Sequence, residues 1–322
     1  MYESFYGLRE KPFSLLPDPG FLFLSPKHRM ALVLLEYGLM NQAGFTVISG
    51  GIGTGKTTLI RHLLNNIGRD TTVGLISNTH RSFGDLLQWI MLAFNIEDQG
   101  LDKVGRYRAF VDFMIREYAK SRRTVLIVDE AQNMAPETLE ELRMLSNVNA
   151  DKDQVLQVIL VGQPGLRDTL RRADLEQFAQ RIAVDYDLEP LEAHETREYI
   201  RHRLATAGGD PDLFEDEACA VVHEASRGVP RLVNLLCDTA MVYGYAEQAP
   251  RINAALVRDV ARDKRKGGLF PSGAGGSAAP TGRQVPAADA AHETAGADAG
   301  VGHPDAPVDA AGPGIHEKKN YS

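Results

Sequence analysis

Cysteine is scarce, long hydrophobic runs are missing, and positive charge does not dominate. Only two cysteines occur in 322 residues, Cys219 and Cys237. Both lie in helix-patterned stretches without metal-ligand spacing. A disulfide-stapled fold or a zinc module is therefore excluded, and both read as small buried hydrophobes. No run of about 18 apolar residues occurs, so no transmembrane helix is expected. The opening MYESFYGLREKPF has neither the basic start nor the apolar core of a signal peptide. A cytoplasmic location follows, at most peripheral at the cytoplasmic face of a membrane. The formal net charge is −8; residues 267–322 hold three Lys/Arg against six Asp/Glu, leaving −5 on the rest. A mildly acidic body argues against a dedicated nucleic-acid binder, although a local basic patch stays open. There is one tryptophan, Trp89, on the apolar face of a helical pattern, where it reads as core rather than as a base-stacking platform. His194 and His202 flank a charge-rich helix and read as surface residues.

What is present is an alternation. Five runs rich in Val, Ile and Leu, without polar alternation, lie at 45–49, 72–77, 124–129, 155–162 and 182–188. Such runs suit strands buried on both faces of a parallel sheet. Helical patterns at 57–66, 82–94, 104–120, 136–148 and 165–180 supply the crossovers. Ahead of them, Ser25-Pro26 fits an N-cap and first-turn proline for a helix over 27–39. After Pro190 only helices are predicted, at 192–207, 215–226, 230–245 and 253–265, separated by Gly208-Gly209 and Gly228. From Gly267 the chain is Ala-, Gly- and Pro-rich with few large hydrophobes, a composition that does not bury enough surface to order itself. The expected organisation is a segment over 1–44 packing on a nucleotide site, a three-layer α/β core over 45–190, a small all-helical lid over 191–266 and a disordered tail over 267–322. The basic run at 261–268 suits a helix C-terminus, with a contact to anionic lipid or nucleic acid as the alternative.

The chemistry lies at the strand ends. Gly50-Gly51-Ile52-Gly53-Thr54-Gly55-Lys56-Thr57-Thr58 matches the P-loop pattern, after one predicted strand and before a helix. Glycines let successive N–H groups turn onto phosphates and the helix N-terminus adds partial positive charge. Lys56 reaches the phosphates and the Thr57 hydroxyl suits Mg²⁺. In TVLIVDEAQ, four apolar residues build a strand that ends on Asp129 and Glu130, where ligands of open parallel sheets bind. Asp129 would hold Mg²⁺ and Glu130 would deprotonate the attacking water. A holder needs only the first acid, whereas a dedicated base implies turnover. Gln163, at the end of VILVGQ, could touch a γ-phosphate or the lytic water. Arg181, before the last strand, could reach a neighbouring subunit's nucleotide, with Arg171 and Arg172 as rivals. In RGVPRLVN, Arg231 begins a helix after Gly228-Val229-Pro230 and would lean from the lid onto the γ-phosphate.

These motifs, in this order, resemble the AAA+ ATPases. Four further stretches, FYGLREKPFSLLPDPGFLFLS, DEAQNM, LVGQPGL and EYIRHRL, resemble the ExeA/GspA-type general secretion ATPases, and most closely those of exosortase/PEP-CTERM exopolysaccharide loci. The likeness covers residues 1 to about 266. It implies ATP as the nucleotide, a homo-oligomeric ring or partial ring, and inner-membrane secretion or polysaccharide-export proteins as partners. It carries over Lys56, Thr57, Asp129 and Glu130, and assigns Gln163 and Arg231 as sensors and Arg181 as the finger. The absence of an Asn-Lys-x-Asp guanine-reading motif agrees with ATP. ExeA-type proteins continue into a transmembrane helix and a periplasmic peptidoglycan-binding region, whereas this sequence runs into the low-complexity tail; an ATPase at the cytoplasmic face is therefore expected. A DNA-transposition helper ATPase and a non-hydrolysing nucleotide switch are the alternatives.

Overall fold

Five strands assemble as the buried runs require: β1 (Phe45–Gly50), β2 (Thr71–Ile76), β3 (Arg123–Val128), β4 (Leu156–Gly162) and β5 (Ile182–Leu188). The computed structural model describes residues 1–77, 84–98, 100–150 and 153–266, all within one compact unit. The predicted tail, and residues 82–83 of the predicted 82–94 helix, lie outside the described residues. The strands are parallel, in the order β2-β3-β4-β1-β5. Side chains alternate between two buried faces. Ile48, Val125, Ile127, Ile159 and Val161 pack with α1 (Pro26–Met40) and α2 (Lys56–Asn66). Val47, Leu126, Val128, Val158 and Leu160 pack under α3 (Leu86–Ala93), α4 (Lys103–Ala119) and α5 (Pro136–Leu145). Burial on both faces holds for the inner strands β1, β3 and β4. The edge strands β2 and β5 are only partly buried, and β5 carries Asp185 and Asp187 on its outer positions, against the expectation. The result is three layers.

The connection from β1 runs to β2 at one edge, while β4 leads to β5 at the other. The order therefore reverses beside β1 and β4, and a crevice opens outside their carboxyl ends. The P-loop and Gln163 follow those two strands directly, and Asp129-Glu130 follows the adjacent β3.

The remaining helices are α8 (Ala193–Thr206), α9 (Asp216–Ser226), α10 (Pro230–Ala246) and α11 (Ala254–Lys266). They share a separate core that includes Ile200, Phe214, Leu236 and Val257. Side chains from the first 21 residues enter this core. Tyr2, Tyr6, Leu8, Phe13 and Phe21 are buried in it, and the Phe13 ring meets Phe214 edge-on at 5.9 Å. Arg9 N–H donates to Ala207 O at 2.9 Å and the Asn234 side chain donates to Ser14 O at 3.2 Å. The next residues change partner: Ala31 and Leu35 of α1 lie against the sheet.

Three local expectations are corrected. The predicted helix over 165–180 divides into α6 (Gly165–Leu170), a 3-10 turn at Ala173–Leu175 and α7 (Glu176–Ala179). The break falls where Arg172 is extended, with ψ 146°, and its guanidinium binds Asp174 at 2.8 and 2.9 Å. Trp89 is not core: it is 38 % exposed, because α3 turns Leu86, Leu87, Ile90 and Met91 inward and leaves position 89 outside that stripe. His202 is half-buried, its ring 5.6 Å from Phe23, and burial lowers its pKa. Cys219 and Cys237 are free and buried, as expected.

Candidate nucleotide-binding site

The loop after β1 is built from left-handed backbone. Gly53 has φ +81° and Gly55 φ +102°, conformations that a Cβ disfavours. Gly55 caps α2, so Lys56 and Thr57 are the first residues of that helix. Lys56 is buried, and its ammonium donates to Gly50 O at 2.7 Å and Gly51 O at 2.9 Å. Burial lowers its pKa, opposed by the nearby carboxylates of Glu130, Asp129 and Asp187. The ammonium is thus held in the mouth of the loop by backbone carbonyls and faces three acids.

Thr57 and Asp129 meet directly: the hydroxyl donates to Asp129 Oδ2 at 2.9 Å, and Asp129 Oδ1 accepts Glu130 N–H at 2.9 Å. Glu130 takes φ +55°, an uncommon conformation for a residue with a Cβ. Its Oε2 accepts Gln132 Nε2 at 2.6 Å and Gln163 Nε2 at 3.2 Å. The helical core reaches the loop as well. Arg231 N–H donates to Gly53 O at 3.2 Å, and a Cβ at Gly53 would stand 2.6 Å from Arg231 Cβ. The turn before α10 is equally close-fitting. Gly228, at φ +69°, leaves no room for a Cβ, which would fall 1.9 Å from Leu191 O.

One cleft is therefore lined by Ile52, Gly53, Gly55, Lys56, Thr57 and Thr58 of the loop, together with Glu130, Gln163 and Arg231. Gly50, Gly51, Thr54 and Asp129 support this lining from behind: Thr54 Oγ1 donates to Gly51 O at 2.9 Å, and the Asp129 contacts are those given above. Arg181 is not in the cleft. It donates to Asn147 and, at 3.4 Å, to Ser146, both just after α5. It also precedes β5, whose far end, Leu188, pairs with Gly50, so roughly 20 Å of strand separates it from the loop. Of its rivals, Arg172 is committed to Asp174, while Arg171 is 71 % exposed with only a 3.9 Å contact to Asp168.

Several residues of the site carry no sequence motif. His28 is buried on α1; its Nδ1 pairs with Ser25 Oγ at 2.8 Å and its Nε2 with Thr54 O at 2.9 Å, bracing the loop. Burial lowers its pKa, and Nε2–H donating to the carbonyl suits the neutral ring. Asp187 on β5 accepts the Ser49 hydroxyl at 2.7 Å and adds negative charge near Lys56. Asp18, Phe21, Phe23, Arg203 and Asn234 also line the cleft, with the Arg203 guanidinium over the Phe21 ring at 4.9 Å. The Ser25-Pro26-x-His28 spacing and the glutamine of DEAQ were the available signals.

Residues 39–170 match the family described as AAA domain. That span covers the loop, the acidic pair and Gln163. The fold is that of AAA-type P-loop proteins. Solved structures agree. Cdc6p of Pyrobaculum aerophilum has a TM-score of 0.61 at 17% identity, over 77% of this chain and 71% of that one. The ORC2 protein of Aeropyrum pernix, in ADPNP–ADP complexes, has a TM-score of 0.57 at 17% identity, over 76% and 71%. Sequence similarity is higher to general secretion pathway protein A of Aeromonas hydrophila, 40% identical over 255 residues, which are 78% of this chain and 46% of that protein. The chain thus spans about half the length of that relative. Beyond residues 39–170, the similarity extends over helices that form the second core. No described helix is long and apolar enough to cross a membrane.

Proposed function

We propose that the chain hydrolyses ATP with Mg²⁺ and couples turnover to assembly or regulation of a secretion or exopolysaccharide-export system at the cytoplasmic face of the inner membrane. The observation that carries the hydrolytic reading is one cluster: the Thr57 hydroxyl on Asp129, Glu130 beside it, and Lys56 and Arg231 on the same cleft. The hydroxyl and carboxylate are hard oxygen donors 2.9 Å apart, a set that suits Mg²⁺. The ion, when bound, would neutralise charge on the phosphates. Around it, the residues from Gly50 to Thr58 cradle phosphate with backbone N–H groups and Lys56 supplies a fixed positive charge. Glu130 takes the proton of the attacking water. Gln163 and Arg231 respond to the terminal phosphate from the sheet and from the helices. In this reading residues 191–266 act as a lid on a core over 45–190.

ATP as the nucleotide is supported by the missing guanine-reading motif and by the adenine nucleotides of the Aeropyrum pernix complexes. The secretion role is supported by similarity to general secretion pathway protein A; the finer link to exosortase/PEP-CTERM loci rests on sequence resemblance alone. Arg181 cannot reach its own loop, so it acts across a subunit interface in a homo-oligomeric ring or partial ring. Titration with a fluorescent ATP analogue tests the site. Lys56→Ala is expected to weaken binding at least about tenfold with Tm unchanged, and unaltered affinity would contradict the assignment. Capture of inner-membrane export proteins by ATP-loaded Glu130→Gln is expected for the secretion role. Retention of duplex DNA in a low-salt gel shift with ATP would favour the transposition-helper alternative instead.

A further inference from the structure

A single side chain ties the acidic strand end to the neighbouring one. Gln132 lies in the 3-10 turn after β3. Its amide nitrogen donates to Glu130 Oε2 at 2.6 Å, and its amide oxygen accepts Gln163 N–H at 2.9 Å. Gln163 Nε2 donates to the same Glu130 oxygen at 3.2 Å. The three residues close a ring of hydrogen bonds across β3 and β4. The backbone is shaped around this ring. Glu130 takes its left-handed conformation at the head of the turn. A Cβ on Gly162, the last residue of β4, would meet Gln132 Oε1 at 2.9 Å and Gln132 N at 3.2 Å. Glycine at 162 therefore leaves the space that the Gln132 amide fills.

We propose that Gln132 is a positioning residue for hydrolysis: it holds the Glu130 carboxylate through its NH₂ and follows the end of β4 through its C=O. The proposal rests on the reading of Glu130 as the base that activates water. An amide suits this post because donor and acceptor sit on one rigid plane. A shift of Gln163 on meeting a terminal phosphate turns that plane, and the carboxylate is carried with it. Neither a carboxylate nor an apolar side chain can replace both halves. Glutamate at 132 keeps an acceptor for Gln163 N–H but sets like charge against Glu130. Methionine keeps the volume and loses both bonds.

The test is steady-state phosphate release and equilibrium ATP binding by wild type, Gln132→Met, Gln132→Glu and Gly162→Ala. With positioning, kcat of Gln132→Met falls about 10- to 100-fold while the ATP Kd changes less than about threefold. Gln132→Glu falls at least as far. Gly162→Ala, whose Cβ crowds Gln132 Oε1 at 2.9 Å and Leu166 Cδ2 at 3.0 Å, also loses kcat with Kd kept. An unchanged or raised kcat in Gln132→Met overturns the proposal, as does parallel loss of kcat and ATP affinity. An inert wild type overturns the hydrolytic reading and this proposal with it. An active wild type with a fully active Gln132→Met overturns this proposal alone.

Discussion

Glu117, on α4 below the sheet, shows how one side chain can fix an acid-sensitive joint. Its carboxylate, 6 % exposed, receives Arg122 at 2.6 and 2.7 Å, Thr72 at 2.6 Å and Lys120 at 3.2 Å. The Arg122 guanidinium, with help from Thr72 and Lys120, holds its pKa at about 2, against the usual 4.5. A depressed carboxyl stabilises the fold above pH 4.5 and loses that contribution as pH falls toward 2. Glu117→Gln is therefore expected to cost about 1.5–3 kcal/mol at neutral pH. In thermal melts the Tm gap to wild type should be level from pH 7 to 5 and close below 4.5; a gap that stays constant into acid would contradict the ion pair. The residues of the cleft divide by how legible they were. The placement of Lys56, Thr57, Asp129 and Glu130 together was legible because a local strand-loop-helix pattern sets each at the carboxyl end of a strand. Gln132 and His28 were not, since their roles arise only when strand ends and helices distant in sequence are brought within 3 Å.

Secondary-structure elements were legible for a different reason. Runs such as TVLIV and QVILV have no polar face to solvate, so only a sheet covered on both sides accepts them. The reading fails over 165–180, where the backbone turns extended at Arg172 and a 3-10 turn divides the predicted helix. The partnership of the opening segment with α8–α11 was likewise invisible, because local spacing does not say which of two distant cores Tyr2, Tyr6, Leu8 and Phe13 enter. Phe13, 1 % exposed against Phe214, is the anchor of that clip. Phe13→Ala is expected to destabilise by about 3–5 kcal/mol and to raise protease sensitivity at the N-terminal residues before the sheet. A chemical-denaturation midpoint unchanged by the substitution would show that the clip carries no stability.

Across the whole described molecule, two cores are joined at the nucleotide cleft. One contributes Gly53 and Lys56, the other Arg231, and they touch through the 3.2 Å bond from Arg231 N–H to Gly53 O. A ligand seated there meets both, which gives the helices a route to register what the loop holds. Arg181 stands outside this arrangement, at the opposite end of β5. If it serves a neighbouring copy, Arg181→Ala should cut turnover by about 10³-fold with sedimentation unchanged. Full turnover in that variant would move the role to the exposed Arg171. All of this depends on whether the cleft hydrolyses what it binds. The deciding measurement is steady-state phosphate release from ATP and Mg²⁺ by wild type and Glu130→Gln, with nucleotide binding followed in parallel. Turnover by wild type, a fall of about 10²–10⁴-fold in Glu130→Gln and ATP affinity kept in both is the expected result. An inert wild type, or a Glu130→Gln variant that turns over normally, would contradict it.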